Sequence, residues 1–151
     1  MSNIFNSPFE VSLRVLLILN EYEDLSLTSD KITITDFISV YGASFGIAEK
    51  NLHGDNIFKF SEFATRRLLI QQAIKILVIK GLIIVEFNKN GFTYTITNTG
   101  INYCNSLESD YANIFREMVH ESRVYILEHS EKDLLDIINK YSINSFKKGG
   151  N

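Results

Sequence analysis

Three histidines, one cysteine and a scatter of carboxylates are the residues of this chain with chemistry suited to catalysis. The histidines are His53, His120 and His129. His120-Glu121 is followed by Ser122, Arg123 and Val124, so the second histidine of a helical zinc-protease site is missing. His129 falls at the end of a helical pattern, where the helix dipole favours a cation. Cys104 lies between Tyr103 and Asn105, with no adjoining charge to stabilise a thiolate, which is the setting of a small buried hydrophobe. Gly-x-Ser-x-Gly, the P-loop and Gly-x-Gly-x-x-Gly are absent. No carboxylate is marked out as half of an acid–base pair. These residues imply no enzyme, no metal and no cofactor.

The cations say more. Lys59, Arg66, Arg67, Lys75 and Lys89 are the candidates for contact with DNA phosphates, each adding to a salt-dependent affinity. Arg66 follows Glu62 by four residues, the spacing of an ordinary helical ion pair. Asp55 and Glu62 lie nearby, and there is no run of Arg or Lys.

The elements that carry these residues are legible from caps and periodicity. Ser7-Pro8-Phe9-Glu10 is a capping box with proline at the first helical position. Phe9, Leu13, Leu16, Leu17 and Asn20 follow at helical spacing to about Glu23. Leu25-Ser26-Leu27 reads as a very short strand. Thr28 or Ser29 caps a second helix with Ile32, Phe37, Ile38 and Tyr41 inside and Asp30 and Asp36 outside. The alternation Ile32-Thr33-Ile34-Thr35 also reads as a strand. Gly42 to Lys59 is a long loop. Ser61 and Glu62 open a helix that runs to Lys80 and stops at Gly81. Its core face carries Phe63, Ile70, Ile74 and Leu77, and Arg67, Gln71 and Lys75 form a polar stripe. Its far side carries Thr65 and Gln72 but also Leu68, Leu69, Ile76 and Ile79, so most of its faces need cover.

A hairpin follows: apolar Leu82 to Phe87, turn residues Asn88 to Gly91, then Phe92 to Thr97 with period two. Asn98 or Thr99 caps a short helix to about Leu107. Ser109-Asp110 opens a longer one to about His129, with stripes at Tyr111, Phe115, Met118, Ser122, Tyr125 and at Ile114, Val119, Ile126, Leu127. Ser130 and Asp133 are a further capping pattern, opening a last helix from Glu131 to Tyr141.

The order helix, short strand, helix, helix, hairpin is the winged-helix topology. The expected class is α+β, mostly α. Residues 1–100 form a winged-helix core, 101–145 a helical extension packed on it, and 146–151 a flexible tail. The helix opened by Ser61 takes the position that enters the major groove in DNA-binding members, with Asn88–Gly91 at the wing tip.

Composition bounds the rest. The chain has 151 residues, and a folded protein of that size buries about two-thirds of its surface. A single cysteine excludes a disulfide framework. The net charge of −3 argues against a protein that mainly wraps nucleic acid. No apolar run spans a membrane and no export signal is visible, which fits a cytoplasmic protein.

Several blocks resemble one family. Phe5-Asn6-Ser7-Pro8-Phe9-Glu10, with Leu13-Arg14 and Leu16-Leu17, is similar to the opening of the middle components of bacterial ABC-three-component systems. Phe58-Lys59-Phe60-Ser61-Glu62, Arg66-Arg67 and Leu77 to Lys80-Gly81-Leu82-Ile83 resemble its second block, without that block's usual proline and glycine. The Tyr94 strand and Leu107-Glu108-Ser109-Asp110-Tyr111-Ala112 resemble its third. The resemblance covers most of residues 5–127. It implies a small non-enzymatic subunit whose partners are an SMC- or Rad50-like ATPase and an effector, often a nuclease. Lamassu-type defence against phages and plasmids is the setting it implies, with DNA bound weakly or only within the complex.

Such an adaptor needs surface for its partners. Leu68, Ile76, Ile79, Tyr111, Phe115, Met118, Tyr125, Leu135 and Ile138 are the candidate interface, on helices with more apolar surface than one small core needs. The competing expectation is a winged-helix transcription regulator, dimeric through the helices of Asp110–Tyr141.

Overall fold

Ser7 caps the first helix as its place before Pro8 predicts: its Oγ accepts the Glu10 N–H at 3.2 Å. That helix, α1, spans Pro8–Glu21. Every residue from Leu13 to Leu19 is buried, so α1 runs through the interior rather than over it. Phe9, at helical spacing with Leu13 and Leu16, is nonetheless exposed. The computed structural model describes residues 6–47 and 60–149, the side chains of 43, 44, 60, 61 and 141–149 excepted.

The second helix, α2, spans Ser29–Val40 and is capped by Thr28, whose side chain accepts the Lys31 N–H at 3.1 Å. The strand alternative for Ile32 to Thr35 is thereby excluded. The two threonines that suggest it are accommodated within the helix. Thr33 and Thr35 donate their hydroxyls back to the Ser29 and Lys31 carbonyls at 2.8 and 2.7 Å. Every residue from Ile32 to Val40 is buried. Asp36 is therefore inside, not outside as its polarity predicts. A 3-10 turn, Gly42–Phe45, follows. The rest of the expected loop, 48–59, lies outside the described residues, and His53 and Lys59 lie with it.

Helix α3 spans Phe60–Ile79. Phe63, Ile70, Ile74 and Leu77 are buried as periodicity predicts. It ends in a Schellman motif: Gly81 N–H donates to the Val78 carbonyl and Leu82 N–H to the Leu77 carbonyl, both at 3.0 Å. Gly81 adopts φ +73°, where any Cβ would be strained. Strands β1 (Ile83–Asn88) and β2 (Gly91–Ile96) then pair antiparallel, from Ile83 opposite Ile96 to Asn88 opposite Gly91. Leu27 forms an isolated antiparallel bridge to β2, exchanging two backbone hydrogen bonds with Tyr94.

Helix α4 spans Asn98–Asn105 and is capped by Thr97, one residue earlier than expected. The Thr97 hydroxyl accepts the Gly100 N–H and donates to the Gly81 carbonyl, joining the helix to the hairpin. Helix α5 spans Asp110–Leu127, capped by Ser109. Its buried face is Ala112, Phe115, Val119, Ser122 and Ile126, which runs between the two expected stripes. Helix α6 spans Glu131–Gly149, past the Tyr141 at which its pattern ends in the sequence. Ser130 accepts the Asp133 N–H at 3.0 Å, as the capping pattern predicts.

The architecture is α+β, mostly α, with six α-helices and one two-stranded antiparallel sheet among the described residues. Helices α1 and α2 form the centre. Helix α3 packs on both, α5 packs across both, α4 packs on α1, and α6 packs on α2 and α3. No helix of the described residues is long and apolar enough to cross a membrane.

Candidate functional site

Among the described residues, a cluster of buried charge forms where the central helices meet. Asp36, wholly enclosed on α2, accepts from Arg14 Nε of α1 at 2.7 Å and from Arg66 Nη1 of α3 at 2.6 Å. Arg14 also donates to the Tyr111 hydroxyl of α5 and to the Asn6 side chain, at 3.3 and 3.0 Å. Arg66 reaches Glu62 at 3.5 Å, the expected i to i+4 pair, and Glu62 accepts from the Tyr41 hydroxyl. Two cations and two anions thus close on one another.

Burial alone would raise the Asp36 carboxyl, but the two guanidinium groups hold it at about 2. Burial opposes the charge on Arg14, and Asp36 more than restores it. Asp36 is ionised and enclosed by its partners, so the group is suited to joining α1, α2, α3 and α5 rather than to moving protons. The sequence signal for it is indirect. Asp36 stands in an unbroken run of residues that α2 buries, and a buried carboxylate requires a cation.

The expected phosphate contacts separate. Arg66 is turned inward to Asp36 and is corrected from a surface cation to a core one. Arg67 pairs with Asp30 at 3.0 Å and lies over the Phe63 ring. Lys75 and Lys89 are exposed and enter no ion pair among the described residues, as is Lys80, which was not singled out. Lys89 sits in the two-residue loop between β1 and β2.

The expected apolar interface also divides. Leu68, Ile76 and Ile79 are exposed on α3, Ile79 at 84%. Tyr111, Met118, Tyr125 and Leu135 are half-buried along the borders of α5 and α6. Phe115 and Ile138 are fully enclosed and belong to the core, because each lies on the inward line of its helix. The sequence reading passes over the hairpin's own apolar surface. Phe87 and Phe92 stand opposite each other, exposed, with their rings edge to face at 5.1 Å. It also misses a groove of about 340 Å³ between α1 and α3, lined by Phe9, Leu13, Leu16, Ile76, Leu77 and Tyr103 among others.

The remaining histidines and the cysteine among the described residues are occupied locally. Cys104 is buried and its thiol is pushed up to about 11 by that burial. His120 Nδ1 lies 2.8 Å from Glu21, tying α5 to α1, and His129 Nδ1 lies 2.8 Å from the Tyr125 carbonyl at the end of α5. No group of three or more potential metal ligands is found among the described residues.

A family model described as ABC-three component (ABC-3C) system Middle Component 2 matches residues 4–148, from the approach to α1 through nearly all of α6. The chain belongs to that family. No curated protein and no solved structure matches it. As a middle component 2, it is one member of a three-component system and works beside other components. The match takes in both the core cluster and α5 and α6, so the family's description applies to the whole described fold.

Proposed function

We propose that this middle component is a non-enzymatic adaptor of an SMC-like ATPase complex, bridging the ATPase and an effector nuclease in bacterial defence against phages or plasmids. The observation that carries the reading is a contrast within one molecule. The charges of its core cluster are paired internally, while large apolar side chains on α1, α3 and the hairpin stand in solvent. Contiguous exposed apolar surface marks faces that another protein covers. The setting is Lamassu-type and cytoplasmic. The element order, with α3 third and the hairpin after it, fits a winged-helix core.

The absence of chemistry in the adaptor is supported by how its reactive groups are used. Asp36 is held ionised between two arginines, the Cys104 thiol is buried, and His120 bridges two helices. DNA affinity is then left mainly to the ATPase, with Lys75 and Lys89 adding a few salt-sensitive contacts.

A plaque assay on cells carrying the three-gene system tests this. Deleting this chain is expected to abolish protection. The His120→Ala, His129→Ala double variant is expected to retain it, since neither side chain has a catalytic task. Loss of protection in that variant, with the protein still folded, would contradict the non-enzymatic reading.

A winged-helix regulator is the second reading, and one observation favours it. Between Glu62 and Glu86 there is no acidic residue, and Lys75 and Lys80 stand exposed there. A regulator binds duplex DNA by itself, with affinity falling steeply with salt. Fluorescence anisotropy with a labelled duplex separates the two, and the adaptor predicts negligible binding by the isolated chain at physiological salt.

A further inference from the structure

We propose that the groove between α1 and the C-terminal half of α3 receives an amphipathic helix of a partner subunit whose apolar stripe is flanked by acidic residues. The inference rests on the adaptor reading and names the surface and the chemistry that the partner must bring. The groove holds about 340 Å³ between Leu13 and Leu16 of α1, Ile76 and Leu77 of α3, and Tyr103 of α4. Phe9, 66% exposed, forms its wall at the start of α1, and Lys80 stands on its rim.

The surface continues outward along α3. At 100° per residue, Leu68, Ile79 and Ile76 share its solvent-facing arc. All three are exposed. Lys75 borders this stripe on one side and Lys80 on the other. Thr65 and Gln72 share that arc, so the apolar residues on it are spaced rather than continuous. An apolar channel with adjoining spaced apolar residues is a surface that takes side chains at i, i+3 or i+4 and i+7 of a docked helix.

Charge selects the occupant. No Asp or Glu occurs from Phe63 to Val85, although the whole chain carries −3. A helix with carboxylates beside its apolar stripe meets Lys75 and Lys80 with opposite charge. A second copy of this chain would bring its own Lys75 and Lys80 against them, because a two-fold interface pairs the same patch with itself. Duplex DNA fits less well. Its interfaces are polar, whereas Ile76 and Ile79 stand between the lysines, and Arg66 and Arg67 are already paired with Asp36 and Asp30.

The test is photo-cross-linking in the whole system. Benzoylphenylalanine is placed at position 79 of the full chain, co-expressed with the other two components, and the cross-linked peptide is identified by mass spectrometry. The expected product joins position 79 to a helical segment of a partner subunit with Asp or Glu on either side of its apolar stripe. Cross-links only to a second copy, to DNA or to a segment without acidic residues would overturn the proposal. In parallel, Ile76→Glu, at the groove wall, and the Lys75→Glu, Lys80→Glu double variant are expected to weaken binding to the purified partners by about tenfold or more. Their thermal unfolding should match the parent, since these side chains lie outside the core. If both variants bind as tightly as the parent, the groove is not the site and the adaptor reading stands. If the parent chain itself joins no complex, the adaptor reading falls and this proposal with it.

Discussion

Asp36 is the residue on which the most structure converges. Its two oxygens tie α1 and α3 to α2 through Arg14 and Arg66, and Arg14 extends the network to Tyr111 on α5. Removing one partner of a buried ion pair leaves uncompensated charge in the interior, a loss of about 3–5 kcal/mol. Asp36→Asn is therefore expected to lower stability by that amount in urea unfolding, and a change below about 1 kcal/mol would contradict this role. The same carboxyl sets an acid limb. Its value is near 2 when folded and about 3.9 when unfolded, so the stabilisation is complete above the unfolded value and is lost as pH falls through the folded one. The parent protein should lose roughly 2–3 kcal/mol between about pH 5 and pH 2 from this group alone. Asp36→Asn should lack that part of the titration. Neither effect is visible in the local sequence, which reads Asp30 and Asp36 alike as solvent-facing. Only the burial of α2 on all sides, a tertiary fact, separates them. Ser7, Ser109 and Ser130 behave differently because a cap is a local interaction, complete within three residues.

Among the elements, those defined by short-range chemistry were legible and those defined by their neighbours were not. The hairpin follows from turn residues and period two, and its register runs as those signals require. Helix α3 ends where Gly81 permits a left-handed turn. By contrast, α2 carries a strand-like alternation and becomes a helix whose residues Ile32 to Val40 are all buried, with α1, α3, α5 and α6 packed around it. The buried line of α5 falls between two stripes of large apolar residues, since small Ala112 and Ser122 face the centre. Ser122 there meets Ser39 of α2 at 3.0 Å. The contact between α4 and the hairpin supplies a sharp test. A Cβ on Gly100 would lie 2.3 Å from the Leu82 carbonyl oxygen and 2.6 Å from Ile96 Cγ1. Gly100→Ala is thus expected to destabilise the protein by about 1–3 kcal/mol, although alanine is the better helix former. A thermal melt at or above the parent's would contradict that packing. Lys89→Ala, in the exposed hairpin loop, should leave the melt within about 0.5 kcal/mol of the parent.

At the scale of the molecule, one core joins all six helices and the sheet, and a second set of apolar residues stands outside it. Phe9, Leu68, Ile79, Phe87 and Phe92 would each be an ordinary exposed side chain alone. Together they describe a molecule with more apolar surface than its own fold covers, in a family whose members work within a three-component system. The sequence announces the surplus on α3, because that helix is apolar on more faces than its neighbours cover. It does not announce the groove, which needs α1, α3 and α4 side by side. The central claim is that this chain acts by holding other subunits. The most direct measurement is size-exclusion chromatography with light scattering on a tagged chain co-expressed with the other two components. The account predicts co-elution in a stable complex that contains the ATPase. Elution of the chain by itself, as a monomer or small homo-oligomer, would contradict it.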